Sequence, residues 1–215
     1  RDARDSGQYG IALRWFAESL NDTEFGLYAM NYHSRGPVFS TVRTTTPDFA
    51  AFIPGAPNAG YFIEYPEDIR LYGLSFQTNL GGTALAGEVS YRPNMPLQIN
   101  STDLSFGALG LPFNPIFESG HAQNVSGADL HGYDRRAVTQ AQVSAVQFID
   151  RVLGASRLTL VGEVGYNHIA GISDDIGELR FGRDPIYGPG EYSAPGVCTA
   201  FNAANPDECQ GDGFY

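Results

Sequence analysis

Apolar and polar residues trade places at every second position in six stretches of this chain, and no sustained 3.6-residue rhythm competes with them. Period two places neighbouring side chains on opposite faces of an extended backbone, so the chain is expected to be all-β. In Gln8 to Glu18, Tyr9, Ile11, Leu13 and Trp15 share one face and Gly10, Ala12, Arg14 and Glu18 the other, with Phe16 out of step. A polar turn, Ser19 to Thr23, leads into Glu24 to Tyr32, where Phe25, Leu27 and Ala29 oppose Tyr28, Met30 and Tyr32 and the polar face stays undecided. Leu71 to Thr78 and Thr83 to Arg92 alternate more cleanly around Asn79-Leu80-Gly81-Gly82, the chemistry of a hairpin turn. Ala137 to Phe148 and Arg157 to Asn167 make a third pair around Gly154, with Val161 out of pattern.

The connections alternate as well. Hairpins are expected over 8–32, 71–92 and 137–167, each closed by a short turn, whereas 34–68, 93–134 and 168–215 are long and rich in Pro, Gly, Asn and acidic residues. Loops of such length are uncommon in compact domains and are usually functional. Within them, Thr102 to Leu111 reads as a small helix or plug-like insert.

Short periplasmic turns, long extracellular loops and strands of ~9–11 residues are the requirements of a transmembrane β-barrel, whose backbone must satisfy its own hydrogen bonds in lipid. Tyr9, Trp15, Phe25, Tyr72, Phe76, Tyr91 and Tyr166 lie near strand ends, where interfacial aromatics or lipid-facing residues belong. Arg14, Glu18, Glu88, Arg92 and Glu163 share the other face and are expected to point into a polar lumen, as a solute path or as a salt-bridged interior. A soluble antiparallel sandwich also alternates; the loop asymmetry and the aromatics favour the membrane. Only 17% of residues are charged, Gly numbers 26, and all 13 basic residues are Arg. The net charge of −11 argues against a nucleic-acid partner. Six strands fall short of the eight in the smallest outer-membrane barrels, so residues 1–215 are expected to be an excerpt, with both ends read as cuts.

Gln8-Tyr9-Gly10, Thr23-Glu24-Phe25-Gly26 and Met30-Asn31-Tyr32-His33-Ser34-Arg35 resemble a family of large Gram-negative proteins catalogued as domain of unknown function 1302. Glu64-Tyr65-Pro66-Glu67-Asp68-Ile69, Gly87-Glu88-Val89-Ser90-Tyr91-Arg92-Pro93-Asn94 and Pro96-Leu97-Gln98-Ile99-Asn100 extend the likeness, which runs to about Asn167. The resemblance implies an outer-membrane β-barrel. It further implies a companion periplasmic or lipoprotein partner, an RND-type exporter nearby, and transport of hydrophobic compounds or lipids. It carries no catalytic residues.

Enzyme chemistry is not expected. His33, His121, His131 and His168 lie at strand ends or in loops without metal-ligand spacing, and no nucleophile elbow or phosphate loop is present. Asp174, Asp175 and Glu178 offer hard oxygen ligands for Ca²⁺ without the spacing of a calcium loop, so a solvated acidic loop is the simpler reading. Glu64 to Asp68, beside Arg70, is expected to close its loop onto the strand top. Cys198 and Cys209 enclose a loop lacking apolar periodicity, which suggests a disulfide and an oxidising compartment; two unrelated thiols are the alternative. The expected function is an outer-membrane channel or transporter for small hydrophobic or amphipathic molecules. The alternative is a plugged barrel acting as a surface structural or binding protein through its loops.

Overall fold

A computed structural model describes residues 1–45, 59–111, 114–173, 175 and 177–181. All six alternating stretches are strands of one antiparallel sheet. They are β1 (Tyr9–Ala17), β2 (Thr23–Tyr32), β5 (Ile69–Leu80), β6 (Thr83–Gln98), β8 (Tyr133–Val152) and β9 (Ala155–Ile169), adjacent in that order. The last four run beyond the stretches expected for them. Pro93 and Pro96 argue against a continuous strand, because proline cannot donate to a ladder; the sheet absorbs them by a register shift between Arg92 and Met95.

The long connections are not bare loops. They form a second sheet, β4 (Gly60–Glu64), β3 (Val38–Val42) and β7 (Asp129–Leu130) in that spatial order, and two helices, α1 (Ser101–Leu109) and α2 (Pro115–Glu118). Helix α1 falls where the insert was expected. It starts there because Asn100 Oδ1 accepts from the amides of Thr102 (3.0 Å) and Asp103 (3.2 Å), and it stops at Gly110, whose positive φ of 73° ends the helix in the left-handed region. Ile99, Leu104, Ile116, Leu130, Leu179 and Phe181 bury themselves together. This cap therefore has a core of its own.

Among the described residues, the main sheet has no such core on its apolar face. Register places Leu13, Leu27, Leu74, Val89, Ala141 and Tyr166 in one cross-strand row. Trp15, Phe25, Phe76, Gly87, Val143 and Val164 form the next row on the same face. Most of these apolar side chains stay exposed, Leu74 at 56% and Val164 at 74%. Where the cap meets the sheet, its apolar contacts fall on the opposite side: Ile69 and Val138 are buried there, Leu97 packs on the cap core, and the Arg136 guanidinium lies 5.4 Å from the Phe181 ring centre. Strands β1 and β9 occupy the two margins, and among the described residues the sheet does not close into a barrel.

The register is also oblique. Thr23 and Thr78 join hydroxyls at 2.8 Å beside the β1–β2 turn. The β5–β6 turn closes two residues farther, at Leu80–Thr83, and the β8–β9 turn closes at Val152, five residues past the Gln147 that faces Thr83. Seven residues of ~3.4 Å over four strand spacings of ~4.8 Å give a slope of about 50°. The tyrosines step in the same sense, from Tyr9 to the Tyr72–Tyr91 row and then to Tyr166. They drift by four residues over five spacings, a slope of about 30°. The two values bracket the ~35–45° strand tilt of membrane barrels.

One side chain splices the two sheets. Gln98 Oε1 accepts from the Phe39 amide at 2.8 Å, while its Nε2 donates to the carbonyls of Phe39 (3.0 Å) and Gly132 (2.7 Å). The amide thus takes the place of a missing strand neighbour for Phe39. A Cβ at Gly132 would stand 1.7 Å from the Phe39 carbonyl oxygen. Gly132→Ala is expected to cost about 3 kcal/mol, the upper end for overpacking, and to lower the unfolding midpoint of the intact protein in a denaturant titration.

Candidate functional site: the polar wall and its collar

The undecided face of β2 is settled by its neighbours. Arg14, Gly26, Ser75, Glu88, Gln142 and Gly165 form one row opposite the apolar face, and Phe16, Glu24, Gln77, Ala86, Ser144 and Glu163 the next. Arg14, Glu88, Arg92 and Glu163 therefore share one wall, as the alternation implied. Glu18 does not join them: it opens the short 3-10 turn after β1, because the strand ends at Ala17 and the chain reverses there. Its place is taken by Glu24, whose carboxylate lies 3.7 Å from Arg14 Nε, an exposed pair contributing little to stability. Arg92 Nη1 donates to Gln140 Oε1 at 2.5 Å, and its buried Nε finds no hydrogen-bond partner among the described residues.

A Tyr–Gly arrangement shapes this wall. A Cβ on Gly26 would meet the Tyr28 hydroxyl and Ser75 Oγ at 2.5 Å each, and one on Gly73 would touch the same tyrosine ring at 3.5 Å. The two glycines let Tyr28 lie down on the sheet, with its hydroxyl 3.4 Å from Ser75 Oγ. Beside it, Arg14, Glu24, Gln77, Glu88 and Gln142 border an open polar hollow of about 430 Å³. On the apolar face the aromatics predicted as lipid-facing or interfacial, Tyr9, Trp15, Tyr72, Phe76, Tyr91 and Tyr166, together with Phe25, all share one side. Trp15 stacks on Phe25 at 5.5 Å, and Phe76 covers Gly87 so closely that a Cβ there would meet its ring at 2.4 Å.

At the cap end, segments far apart in sequence converge on Asp68. Arg4 Nη2 donates to its carboxylate at 2.6 Å, Asn31 Nδ2 donates to Oδ1 at 3.0 Å, and Asn94 Nδ2 donates to its carbonyl at 2.7 Å. The Asp68 amide donates to His33 Nδ1 at 3.0 Å, so the ring proton sits on Nε2, which donates to the Ser6 carbonyl at 2.8 Å. The expected neighbour Arg70 makes no such pair among the described residues, and Arg4 supplies the charge. The Asn31 hydrogen bond, with the Arg4 guanidinium behind it, holds the Asp68 carboxyl below the ordinary aspartate range. A carboxyl with a lowered folded pKa stabilises the fold above its unfolded pKa, and that contribution disappears as pH falls through the folded value. Unfolding midpoints measured against pH are expected to drop on the acid side of pH 4, and Asp68→Asn to flatten that limb.

A Ser40–Glu64–His131 chain lies in the small sheet, which the sequence reading did not anticipate. Ser40 Oγ donates to Glu64 and accepts from the Gly132 amide at 2.8 Å, while His131 Nδ1 is 2.9 Å from Glu64 Oε2. The carboxylate stands between hydroxyl and imidazole, and Ser40 is fully buried, so the group lacks the serine–histidine contact that nucleophilic catalysis needs. It ties β3, β4 and β7 together. Of the calcium candidates, Asp174 lies outside the described residues; Asp175 accepts from Ser173 Oγ at 2.9 Å and Glu178 closes the same turn through its amide. Among the described residues no three His, Cys, Asp or Glu side chains converge on a metal position. Cys198 and Cys209 also lie outside the described residues.

Comparison with curated proteins and with solved structures finds no match. A family model described as "Protein of unknown function (DUF1302)" matches residues 1–215, and the chain belongs to that family.

Proposed function

We propose that this chain is part of an outer-membrane β-barrel that passes small hydrophobic or amphipathic molecules, with the polar wall facing the lumen and the apolar face meeting lipid. The observation that carries this reading is the mismatch between apolar surface and covering structure. Six strands, about 24 Å across, present an exposed apolar face, far more than a monomer in water tolerates in one patch. Among the described residues, the layer that covers the sheet packs on its other side. The tilt of the turns and tyrosines supports the same reading, since a membrane plane cuts obliquely across barrel strands. Further strands of the same polypeptide would complete the wall, and a companion periplasmic or lipoprotein partner and an RND-type exporter would fit a route across both membranes.

The separately packed core of the cap favours one second reading, a plugged barrel that displays its loops to a partner. Planar-bilayer recordings of the intact protein separate the two. Discrete openings support the channel; a protein that inserts, shifts its gel mobility on boiling and never conducts supports the plug.

A further inference from the structure

On the apolar face, immediately above the tyrosines, the sheet carries two exposed arginines. Arg70 precedes Tyr72 by two residues on β5 and shares its face, and Arg135 continues the parity of Ala141 on β8. Strand β6 separates them and Arg135 lies two residues farther along its strand, so their backbones are about 12 Å apart. Asn94 on β6 bridges the gap: its Oδ1 accepts from the Arg70 amide at 2.9 Å and its carbonyl from Arg135 Nη1 at 3.2 Å. Arg135 is further fixed by donating to the Glu67 carbonyl at 2.7 Å and by lying over the Tyr133 ring at 5.6 Å. The nearby carboxylates of Glu67 and Asp68 are engaged by Arg4. Among the described residues no acceptor holds the Arg70 guanidinium. Two cations therefore face outward at one end of an apolar surface, unneutralised, in a chain whose net charge is −11.

We infer that Arg70 and Arg135 bind the phosphate of an anionic membrane lipid whose acyl chains lie along Tyr72, Leu74, Val89 and Tyr91. Guanidinium groups suit phosphate through charge and paired donors. A free phosphate would use only the arginines; the apolar track continuous with them is what selects a lipid. This inference rests on the membrane reading and adds a ligand to its outer surface.

The test uses the intact protein reconstituted in vesicles of phosphatidylcholine alone or mixed with phosphatidylglycerol, then extracted gently and weighed with its retained lipids by native mass spectrometry. Wild type is expected to retain phosphatidylglycerol over phosphatidylcholine. Each of Arg70→Gln and Arg135→Gln should cut that preference about fivefold, the effect of one basic residue at a membrane surface, and Arg70→Lys should restore part of it. Unchanged enrichment in Arg70→Gln overturns the site, as does equal competition by inorganic phosphate, which would make the acyl track irrelevant. Flotation of the same vesicles reads the underlying proposal separately: a protein that fails to float with lipid sinks the membrane reading itself, whereas one that floats without lipid preference sinks only the arginine site.

Discussion

Leu74→Arg is expected to destabilise the intact protein in lipid by about 2–4 kcal/mol, the cost of a basic residue on the lipid face near the midplane, while Gln142→Arg changes stability little. The two positions are close in the sheet and opposite in face. Leu74 sits between Leu27 and Val89 in the middle apolar row. Gln142 sits beside Glu88 on the polar wall, where an added cation gains a carboxylate neighbour. Were the apolar face in contact with water, Leu74→Arg would be nearly neutral, because Leu74 is already 56% exposed within this chain. Were it covered by a second protein layer, the substitution would be costly in detergent-free buffer too. Urea unfolding of the intact protein in vesicles, compared across the two variants, reads the difference. Equal midpoints for Leu74→Arg and wild type remove the case for lipid contact.

How much of this was legible beforehand follows from which forces act locally. Alternation located every strand of the main sheet, since a two-residue period survives without knowledge of partners. It also placed Arg14, Glu88, Arg92 and Glu163 together. It missed Glu18 because the strand ends one residue before it, and it left β2 undecided because Tyr28 and Met30 look as apolar as Phe25 and Leu27. Only pairing with Ser75 and Gln77 identifies the polar side. Helix α1 of the cap was legible as an insert, but the small sheet beside it was not, for a different reason. Its strands are two to five residues long, and their hydrogen bonds are completed by side chains such as Gln98 and Ser40, contacts with no sequence period. The collar lay unread in plain view: Asn31, His33, Asp68 and Asn94 all fall in the segments that carry the family resemblance, yet their convergence depends on three-dimensional closure.

Breaking the ion pair inside the cap is the second large effect. Asp103 is fully buried in the first turn of α1, and Arg180, 9% exposed, donates Nε to its Oδ2 at 2.9 Å and Nη2 to its Oδ1. The bidentate fork joins the segment after β9 to the helix. The Ile99–Phe181 bridge and the Asn100 amide, 2.9 Å from the Arg180 carbonyl, close the same seam. Taking two charges out of water is costly, and the pair compensates only while both partners remain. Asp103→Ala or Arg180→Ala alone is therefore expected to cost about 3–5 kcal/mol by leaving a buried charge uncompensated. Replacing both with apolar residues of similar size, Asp103→Leu with Arg180→Met, should cost less than either single change. Because the cap has its own core and the main sheet holds itself together through its ladders, the loss should be local. Amide exchange over residues 99–132 and 177–181 is expected to quicken by two or more orders of magnitude, following the about 1.4 kcal/mol per tenfold relation for opening equilibria, with β1, β2 and β5 unchanged. Exchange that accelerates equally across the whole sheet would mean that cap and wall unfold as one unit, and conductance of such a variant would then report lost structure instead of an opened mouth.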